Sequence, residues 1–316
     1  MKHTLKITAL LLLMFLMTQF IGLYVATHYL GEGNNLPYGL EFPKAEKESD
    51  YYGFFTAIII AFIIAIVLFL FFAKIKIEFM LKLWFFVVVL IALSISIFSL
   101  TRNFDKFLFG MPIIALLVAL PLTIIKIYRK NFLVHNLTEL MIYPGIAVIF
   151  IPILNIYTII ALLILISIYD IWAVWHSGIM QKMAKYQMEE LHIFGSFLIP
   201  SMSKKDKEKL KNIKQKYKDK KIPMKMQKKK FKVNLAILGG GDVIFPIITA
   251  GVFMWSFPSQ ALFGIAGLIP ALFIISGALA GLIYLFIQTQ KGKAYPAMPY
   301  ITTGIFLGLI LWKIFI

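Results

Sequence analysis

Two aspartates stand inside long apolar stretches of the sequence, where a charged side chain is costly. Asp170 lies within LLILISIYDIWAVW, and Asp242 follows three glycines within LAILGGGDVIFP. An ionisable side chain at membrane depth usually lines a watery cavity and has a partner. Two carboxyls held close together share one proton, because both cannot ionise easily. Such a pair can activate a water molecule as acid and base, or it can carry protons across a bilayer.

The composition places these acids in a membrane protein. The chain has 316 residues, of which 60% are hydrophobic and 15% are charged, whereas soluble domains carry about 25% charged residues. The sequence contains no cysteine, which excludes a disulfide framework, thiolate catalysis and a metal bound by cysteine.

Nine segments are long and apolar enough to cross a roughly 30 Å hydrocarbon layer as helices. They are residues 5–30, 51–73, 79–100, 107–127, 137–153, 156–178, 233–256, 260–288 and 296–316. The first could instead be a cleaved signal peptide, but its apolar stretch exceeds the usual core and no clear cleavage site follows. The expected fold class is therefore an all-α polytopic membrane protein with nine transmembrane helices.

Basic residues indicate the orientation, since short cytoplasmic loops carry an excess of lysine and arginine. They precede the first segment and recur in every second loop, as Lys2, Lys6, Lys74, Lys76, Lys126, Arg129, Lys130, Lys291 and Lys293. This pattern predicts a cytoplasmic amino terminus and an extracytoplasmic Ile316. The chain then divides into residues 1–178 with helices one to six, a basic cytoplasmic loop over 179–232, and residues 233–316 with helices seven to nine.

The loop before Asp242 is the most basic part of the chain. Between residues 204 and 232 there are fifteen lysines and three acidic residues, a net +12 of the formal +17. A solvated loop that reinforces the topology is the first interpretation, and contact with anionic lipid is the second. Nucleic acid is not expected as a partner, because only Tyr217 interleaves with the lysines. The preceding residues 181–199 are predicted to form a helix along the membrane surface.

The two aspartates are expected to lie at matched depth. Asp170 is eight residues before Gly178, at the cytoplasmic exit of the sixth segment, and Asp242 is nine residues after Val233. If both segments are helical, a rise of 1.5 Å per residue places each acid about 12–14 Å inside the boundary. Two acids at one depth on touching helices of opposite direction can meet.

Glycine and proline surround Asp242. Gly239, Gly240 and Gly241 would allow the seventh helix to approach the sixth closely, and they weaken the helix at that point. Pro246 has no N–H for the Asp242 carbonyl, so a loosened and polar backbone is expected. The alternative is a flexible packing site or a kink, since both residue types are common in membrane helices.

Two prolines open the last segment in YPAMP, residues 295–299. Pro296 and Pro299 cannot donate backbone hydrogen bonds, which leaves two carbonyl groups without their helical partners. Irregular backbone at membrane depth is tolerated only beside protein or water. The alternative is an ordinary helix start, where proline is favoured in the first turn.

Together these residues carry a family resemblance. Tyr169–Asp170, Gly239–Asp242 and Pro296–Met298 resemble the YD, GxGD and PAL signatures of presenilin and signal peptide peptidase. The order, the host segments and the nine-segment count agree, so the resemblance covers nearly the whole chain. Met298 replaces the usual leucine of PAL, and the basic loop has a composition of its own. The lack of large extra domains favours an archaeal or other microbial member.

The resemblance implies an intramembrane aspartyl protease, an aspartic endopeptidase that cuts peptide bonds within transmembrane helices. Asp170 and Asp242 would be catalytic, with no metal and no organic cofactor. The residues implied to support the active site or to contact substrate are Tyr169, Gly239, Gly240, Gly241, Pro296, Ala297 and Met298. Tyr169 is expected to pack or to hydrogen-bond rather than to react. The expected partners are transmembrane-helix substrates and the lipid bilayer; a homo-oligomer is compatible with the sequence, and no obligatory partner is evident.

Three other functions are compatible with paired acids. A proton-coupled transporter would be expected to show inverted repeats, and the sequence shows none. A prepilin-type peptidase would be expected to carry a lysine shortly after the GxGD aspartate, where this chain has Val243, Ile244 and Phe245. A membrane scaffold without activity would leave the cost of the buried acids unexplained.

Overall fold

The computed structural model describes residues 5–29, 36–39, 41–43, 45–75, 78–104, 106–108, 111–129, 131–178, 186–187, 193–202, 233–290 and 294–316. These residues form nine α-helices, and they confirm the expected all-α polytopic fold. The helices are α1 Leu5–Tyr29, α2 Glu48–Ile75, α3 Glu78–Thr101, α4 Ile113–Tyr128, α5 Phe132–Phe150, α6 Ile156–Trp172, α7 Gly240–Ser256, α8 Leu268–Gln288 and α9 Met298–Phe315.

Seven helical spans are at least 18 residues long and apolar enough to cross a membrane, with α6 counted together with the π-helical turn that extends it to Ser177. The other two, α4 and α7, are apolar but have 16 and 17 residues. Each of these two shorter helices follows directly after a short extended segment. Strand β1, Phe107–Leu108, pairs with β2, Met111–Pro112, directly before α4. The fourth and seventh predicted segments are therefore only partly helical.

The start of the seventh predicted segment was expected to be helical, and that expectation is wrong. Val233–Gly239 is strand β4, which pairs antiparallel with β3, Ser196–Met202, so that Ser196 lies opposite Gly239. The burial pattern explains this: Ala236 and Leu238 are buried while Ile237 between them is exposed, which is the two-residue period of a strand. We call this antiparallel pair the β3–β4 hairpin.

The hairpin corrects two further expectations. Because the residues of β4 are extended, the helical rise used to place Asp242 at the depth of Asp170 does not apply. The predicted surface helix over 181–199 is wrong at its carboxyl end, because β3 begins at Ser196. Most of its other residues, and the lysine-rich residues 203–232, lie outside the described residues.

Glycines set the closest helix contacts in the bundle. An added Cβ on Gly277 or Gly281 of α8 would overlap backbone carbonyl atoms of α9, and one on Gly304 of α9 would overlap Gly277. This close approach holds α9, and with it the Pro296–Met298 segment, against α8. In contrast, the apolar window of α2 within Glu48–Phe72 has none of its residues buried, so α2 presents most of its surface to the surroundings of the bundle.

Candidate active site

Asp170 lies in the last turn of α6 and is 5% exposed. The start of α6 is fixed by a capping box in which Asn155 and Thr158 satisfy each other's backbone N–H groups. The helix passes directly into a five-residue π-helix, Ala173–Ser177, and ends at Gly178 in the left-handed conformation. π-Helical turns often occur at functional sites, and here the widened turn follows the acid.

Asp242 lies in the first turn of α7, three residues after the N-cap residue Gly239. The Gly239 N–H donates to the Asp242 carboxylate, as in the second half of a capping box. An acid in the first turn also interacts favourably with the helix dipole. Asp242 is half-buried, so it is held by its own helix start but stays accessible.

The structure places the two acids on helices that pack against each other. Helix α6 packs against both α7 and α9, and Asp170 is close enough to Asp242 for their carboxyls to interact electrostatically. The partnership was expected, but it arises from the hairpin entering α7 beside α6, and not from nine helical residues of the seventh segment.

The last predicted motif contacts Asp170 through its backbone. The Met298 N–H donates to Asp170 Oδ2 at 3.0 Å, and the Ala297 N–H donates to the same carboxylate. Pro296, Ala297 and Met298 are all buried. Helix α9 begins at Met298 with Pro299 in its first turn, so Pro299 occupies an ordinary helix start. One turn further on, Ser167 of α6 donates to Thr302 of α9 at 2.9 Å.

The three glycines before Asp242 have three different surroundings. A Cβ on Gly239 would lie 2.9 Å from Asp242 Oδ2, so the bare backbone lets the carboxylate reach the N-cap. A Cβ on Gly240 would lie 2.8 Å from the Gly195 carbonyl oxygen and 3.0 Å from Tyr143 Cε1. Gly241 is exposed, and in the described part of the chain its added Cβ would meet only Phe245, at 3.6 Å.

These surroundings correct the expectation that the glycines bring α7 against α6. Gly239 allows the Asp242 carboxylate to reach the N-cap, and Gly240 allows the hairpin and α5 to approach the start of α7. Gly241 leaves open space. The alternative of a kink that ends the helix at Pro246 does not apply, because helix α7 continues through Pro246 to Ser256. A regular helix tolerates this proline at the cost of one backbone hydrogen bond, that of the Asp242 carbonyl.

The ring of Tyr169 packs against two other aromatic rings. It meets Phe62 of α2 edge to face at a centroid distance of 5.3 Å and lies 6.3 Å from the ring of Trp172. Tyr169 therefore links the end of α6 to α2, the helix that is otherwise least covered.

A third intramembrane acid, Glu139, is neutralised by Lys126, one of the basic residues that indicated the orientation of the chain. Glu139 of α5 is 1% exposed, and its Oε1 accepts from Lys126 Nζ of α4 at 2.6 Å. Lys126 is itself 8% exposed. The HNLTE run places His135 and Glu139 four residues apart on one helix face, which was the available signal for a buried polar cluster. Within the described ranges, no group of three or more His, Cys, Asp or Glu side chains could hold a metal ion.

The comparisons with known proteins agree with this geometry. A family model described as signal-peptide peptidase, presenilin aspartyl protease matches residues 37–316. No curated protein matches the sequence. Two solved structures of a presenilin family intramembrane aspartate protease match the fold. The structure in the C222 space group has a TM-score of 0.61 at 18% identity and covers 98% of this chain and 99% of that chain. The structure in the P2 space group has a TM-score of 0.58 at 17% identity, with 97% of each chain covered. At this identity the likeness shows the fold, which is the expected presenilin-like one.

Proposed function

Because the chain belongs to the signal-peptide peptidase and presenilin family of aspartyl proteases, we propose that Asp170 and Asp242 are its catalytic pair. As a member of this family, the protein is an integral membrane protease that hydrolyses peptide bonds within the bilayer. The proton-coupled transporter, the alternative use of paired acids, has no support from the family match. The observation that carries the proposal is the meeting of two acids from neighbouring helices, each held by a backbone N–H.

The chemistry follows from one shared proton. The ionised carboxyl takes a proton from water as the water oxygen bonds to the peptide carbonyl carbon, and the protonated carboxyl donates to the developing oxyanion. When the tetrahedral intermediate collapses, the C–N bond breaks and the leaving nitrogen receives a proton from the pair. The titration belongs to the pair and not to either residue.

The remaining motif residues are proposed to hold the acids and to leave room for substrate. Ala297 and Met298 hold Asp170 through their N–H groups, and Pro296 shapes the turn that presents them. Gly239 and Gly240 fix the entry into α7. Gly241, which is exposed beside Asp242, leaves space for the backbone of a locally unwound substrate, since a peptide bond inside an intact helix is shielded.

We also propose an orientation and a division of the chain. Basic loops on one side support a cytoplasmic amino terminus and a cytoplasmic 179–232 loop, with residue 316 outside. Residues 1–178 then supply Asp170, and residues 233–316 supply Asp242 through β4 and α7. This is the orientation of presenilin, so substrate helices with an extracytoplasmic amino terminus are expected to fit best.

The test of the catalytic pair is cleavage of a single-span substrate in detergent by Asp170→Asn and Asp242→Asn. Both variants should be folded and inactive, and a transition-state-type aspartyl protease inhibitor should block the wild type. Asp50→Asn is the matched control, because Asp50 is also an acid in a first helix turn but makes its hydrogen bonds at the exposed start of α2, and it should cleave normally. More than roughly a tenth of wild-type activity in either active-site variant would refute the pair. When two residues act as one catalytic unit, replacing either of them abolishes the activity.

A further inference from the structure

A buried polar cluster lies between α4, α5 and β3, outside the groups proposed to act on substrate. The Lys126–Glu139 ion pair is its centre, and Lys126 Nζ also lies 3.3 Å from His135 Nδ1. His135 Nε2 in turn lies 3.7 Å from Glu139 Oε1. A buried charge is costly unless it is paired and hydrogen-bonded. Lys126 and Glu139 therefore hold each other in one geometry.

The cluster continues onto the backbone of β3. His135 Nε2 lies 2.8 Å from the Ser196 carbonyl oxygen. The Asn136 amide donates to the Leu198 carbonyl oxygen at 2.8 Å and accepts from the Leu198 N–H at 2.9 Å. Ser196 and Leu198 are two residues apart, so their backbone groups point to the same edge of β3. Helix α5 thus occupies one edge of β3, and β4 pairs with the other.

The hairpin connects β3, which α5 holds, to the proposed catalytic acid Asp242. The Gly240 N–H donates to the Gly195 carbonyl oxygen at 3.2 Å, directly before β3 begins. Tyr143, one turn after Glu139 on α5, contacts the ring of Phe197 edge to face at 5.3 Å and lies beside Gly240. Gly239 at the end of β4 then caps Asp242. A shift of β3 along α5 would therefore also move Asp242, because only the Gly195–Gly240 and Gly239–Asp242 hydrogen bonds lie between them.

We propose that Lys126, His135, Asn136 and Glu139 form a bracket that holds the β3–β4 hairpin against α5 and thereby sets Asp242 at its working position beside Asp170. They are positioning residues, acting through β3, Gly195 and Gly239. The inference rests on the proposed catalytic pair. Catalysis is sensitive to such placement, because a displacement of about 1 Å can cost roughly a hundredfold in rate.

A bracket that positions the acid and a cluster that only stabilises the fold give different kinetics. A loss of stability lowers the number of competent enzyme molecules but leaves the rate of each unchanged. A misplaced Asp242 lowers kcat for every molecule, while KM changes little because the substrate-binding surface remains. Titration of active sites with a tight-binding transition-state-type inhibitor supplies the number of competent molecules, so kcat per titrated site separates the two.

Helix α5 offers a matched pair of asparagines for this experiment. Asn136→Ala removes two hydrogen bonds to Leu198 of β3. Asn131→Ala removes two hydrogen bonds to Leu133 and Val134 at the cap of the same helix, away from the hairpin. We expect Asn136→Ala to lower kcat per site by about tenfold or more, with KM within about twofold of wild type. Asn131→Ala should keep kcat per site within about twofold, whatever its melting temperature.

A second set of variants covers the case in which Asn136→Ala cannot be purified folded. Glu139→Gln leaves the Lys126 ammonium buried without its counter-charge, and Lys126→Met combined with it removes both charges. We expect the double variant to recover at least about threefold of the kcat lost in Glu139→Gln, because a broken buried pair is worse than an absent one. A Glu139 that acted in the chemistry itself could not be rescued in this way, so no recovery would refute the bracket.

The outcomes also separate this inference from the proposed function. If Asp242→Asn retains activity, the catalytic pair is wrong and the bracket has no acid to position. If Asp242→Asn is inactive but Asn136→Ala keeps the wild-type kcat per site, the pair stands and the bracket is refuted. A fall in kcat per site that is equal in Asn136→Ala and Asn131→Ala would also refute it.

Discussion

Backbone N–H groups of single residues hold both acids of the site. Asp170 receives the N–H groups of Ala297 and Met298, and Asp242 receives that of Gly239. A backbone donor is fixed by the fold and cannot rotate away, so it orients a carboxyl more rigidly than a long side chain would. Any residue other than proline could supply such a donor, so the main chain and not the side chain makes these contacts.

The first prediction contrasts two adjacent glycines. Gly240→Ala should lower both the melting temperature and the cleavage rate, because its Cβ would meet Gly195 and Tyr143 at 2.8 and 3.0 Å. We expect a loss of about tenfold or more in rate. Gly241→Ala has room and should leave the melting temperature equal or slightly higher, since alanine favours a helix by roughly 0.5–1 kcal/mol over glycine. Thermal unfolding in detergent, measured beside cleavage, checks both; a Gly240→Ala variant as stable as Gly241→Ala would contradict this explanation.

The second prediction concerns Met298, whose backbone contacts Asp170 while its side chain is 3% exposed. Met298→Leu conserves volume and keeps the N–H, so it should cleave within about threefold of wild type. Met298→Ala also keeps the N–H but empties a buried site, which costs about 2–5 kcal/mol. The two variants should therefore differ clearly in melting temperature. Equal stability would mean that the side chain is not part of the packed core.

At the scale of whole elements, α9 depends on the glycine seam with α8. Gly277 and Gly281 face α9, and Gly304 and Gly308 face α8, each so close that a Cβ would overlap a backbone carbonyl. Without side chains in the seam, the two helices pack backbone to backbone over several turns. Since α9 begins at Met298, this seam sets the position of the N–H that Asp170 accepts.

The third prediction tests the seam. Gly304→Ala should separate α9 from α8, weaken the Met298 contact to Asp170 and lower the cleavage rate by about tenfold or more. Gly53→Ala in α2 is the matched control, because its Cβ would meet nothing within 4 Å among the described residues. The control should match the wild type in melting temperature and rate. A Gly304→Ala variant that behaves like the control would show that the helices can separate without affecting the site.

At the scale of the whole molecule, orientation decides which substrates fit. The bundle presents its acids from α6 and α7, and the β3–β4 hairpin leads into α7 from the side of the basic loop. A polypeptide has direction, so an extended substrate segment can enter such a site in one productive sense. With the hairpin on the proposed cytoplasmic side, we expect the site to favour helices whose amino terminus lies outside.

The fourth prediction tests this orientation in two measurements. A protease site placed in the 204–232 loop should be cut in sealed inverted vesicles and protected in right-side-out vesicles. A single-span substrate reconstituted in both orientations should be cleaved preferentially when its amino terminus is extracytoplasmic. Cutting of the loop only in right-side-out vesicles would invert the topology, and the substrate preference would fall with it.

The sequence by itself determined the class of the fold and most of its helices, and it singled out the two acids of the proposed pair. Long apolar runs can satisfy their backbone in a bilayer only as helices or closed barrels, so the length and position of each run predict a span. The cost of an intramembrane charge draws attention to Asp170 and Asp242 without any structure, and the motifs around them distinguish them from Glu139. Three short motifs in order then indicated the family, which the family model confirmed over residues 37–316.

Only the tertiary structure decided how the acids are held. Strand β4 is extended because it pairs with β3, and β3 is in turn held by Asn136 of α5, which is distant in sequence. Lys126 resembles a loop lysine until Glu139 of the next helix is placed 2.6 Å away. The three glycines have equal chemistry and different neighbours, so their separate roles are invisible in the string GGG. Hydropathy and the propensity for helix or strand can be read along a single segment. Strand pairing, ion pairs and the close packing of glycines depend on which other segment lies alongside.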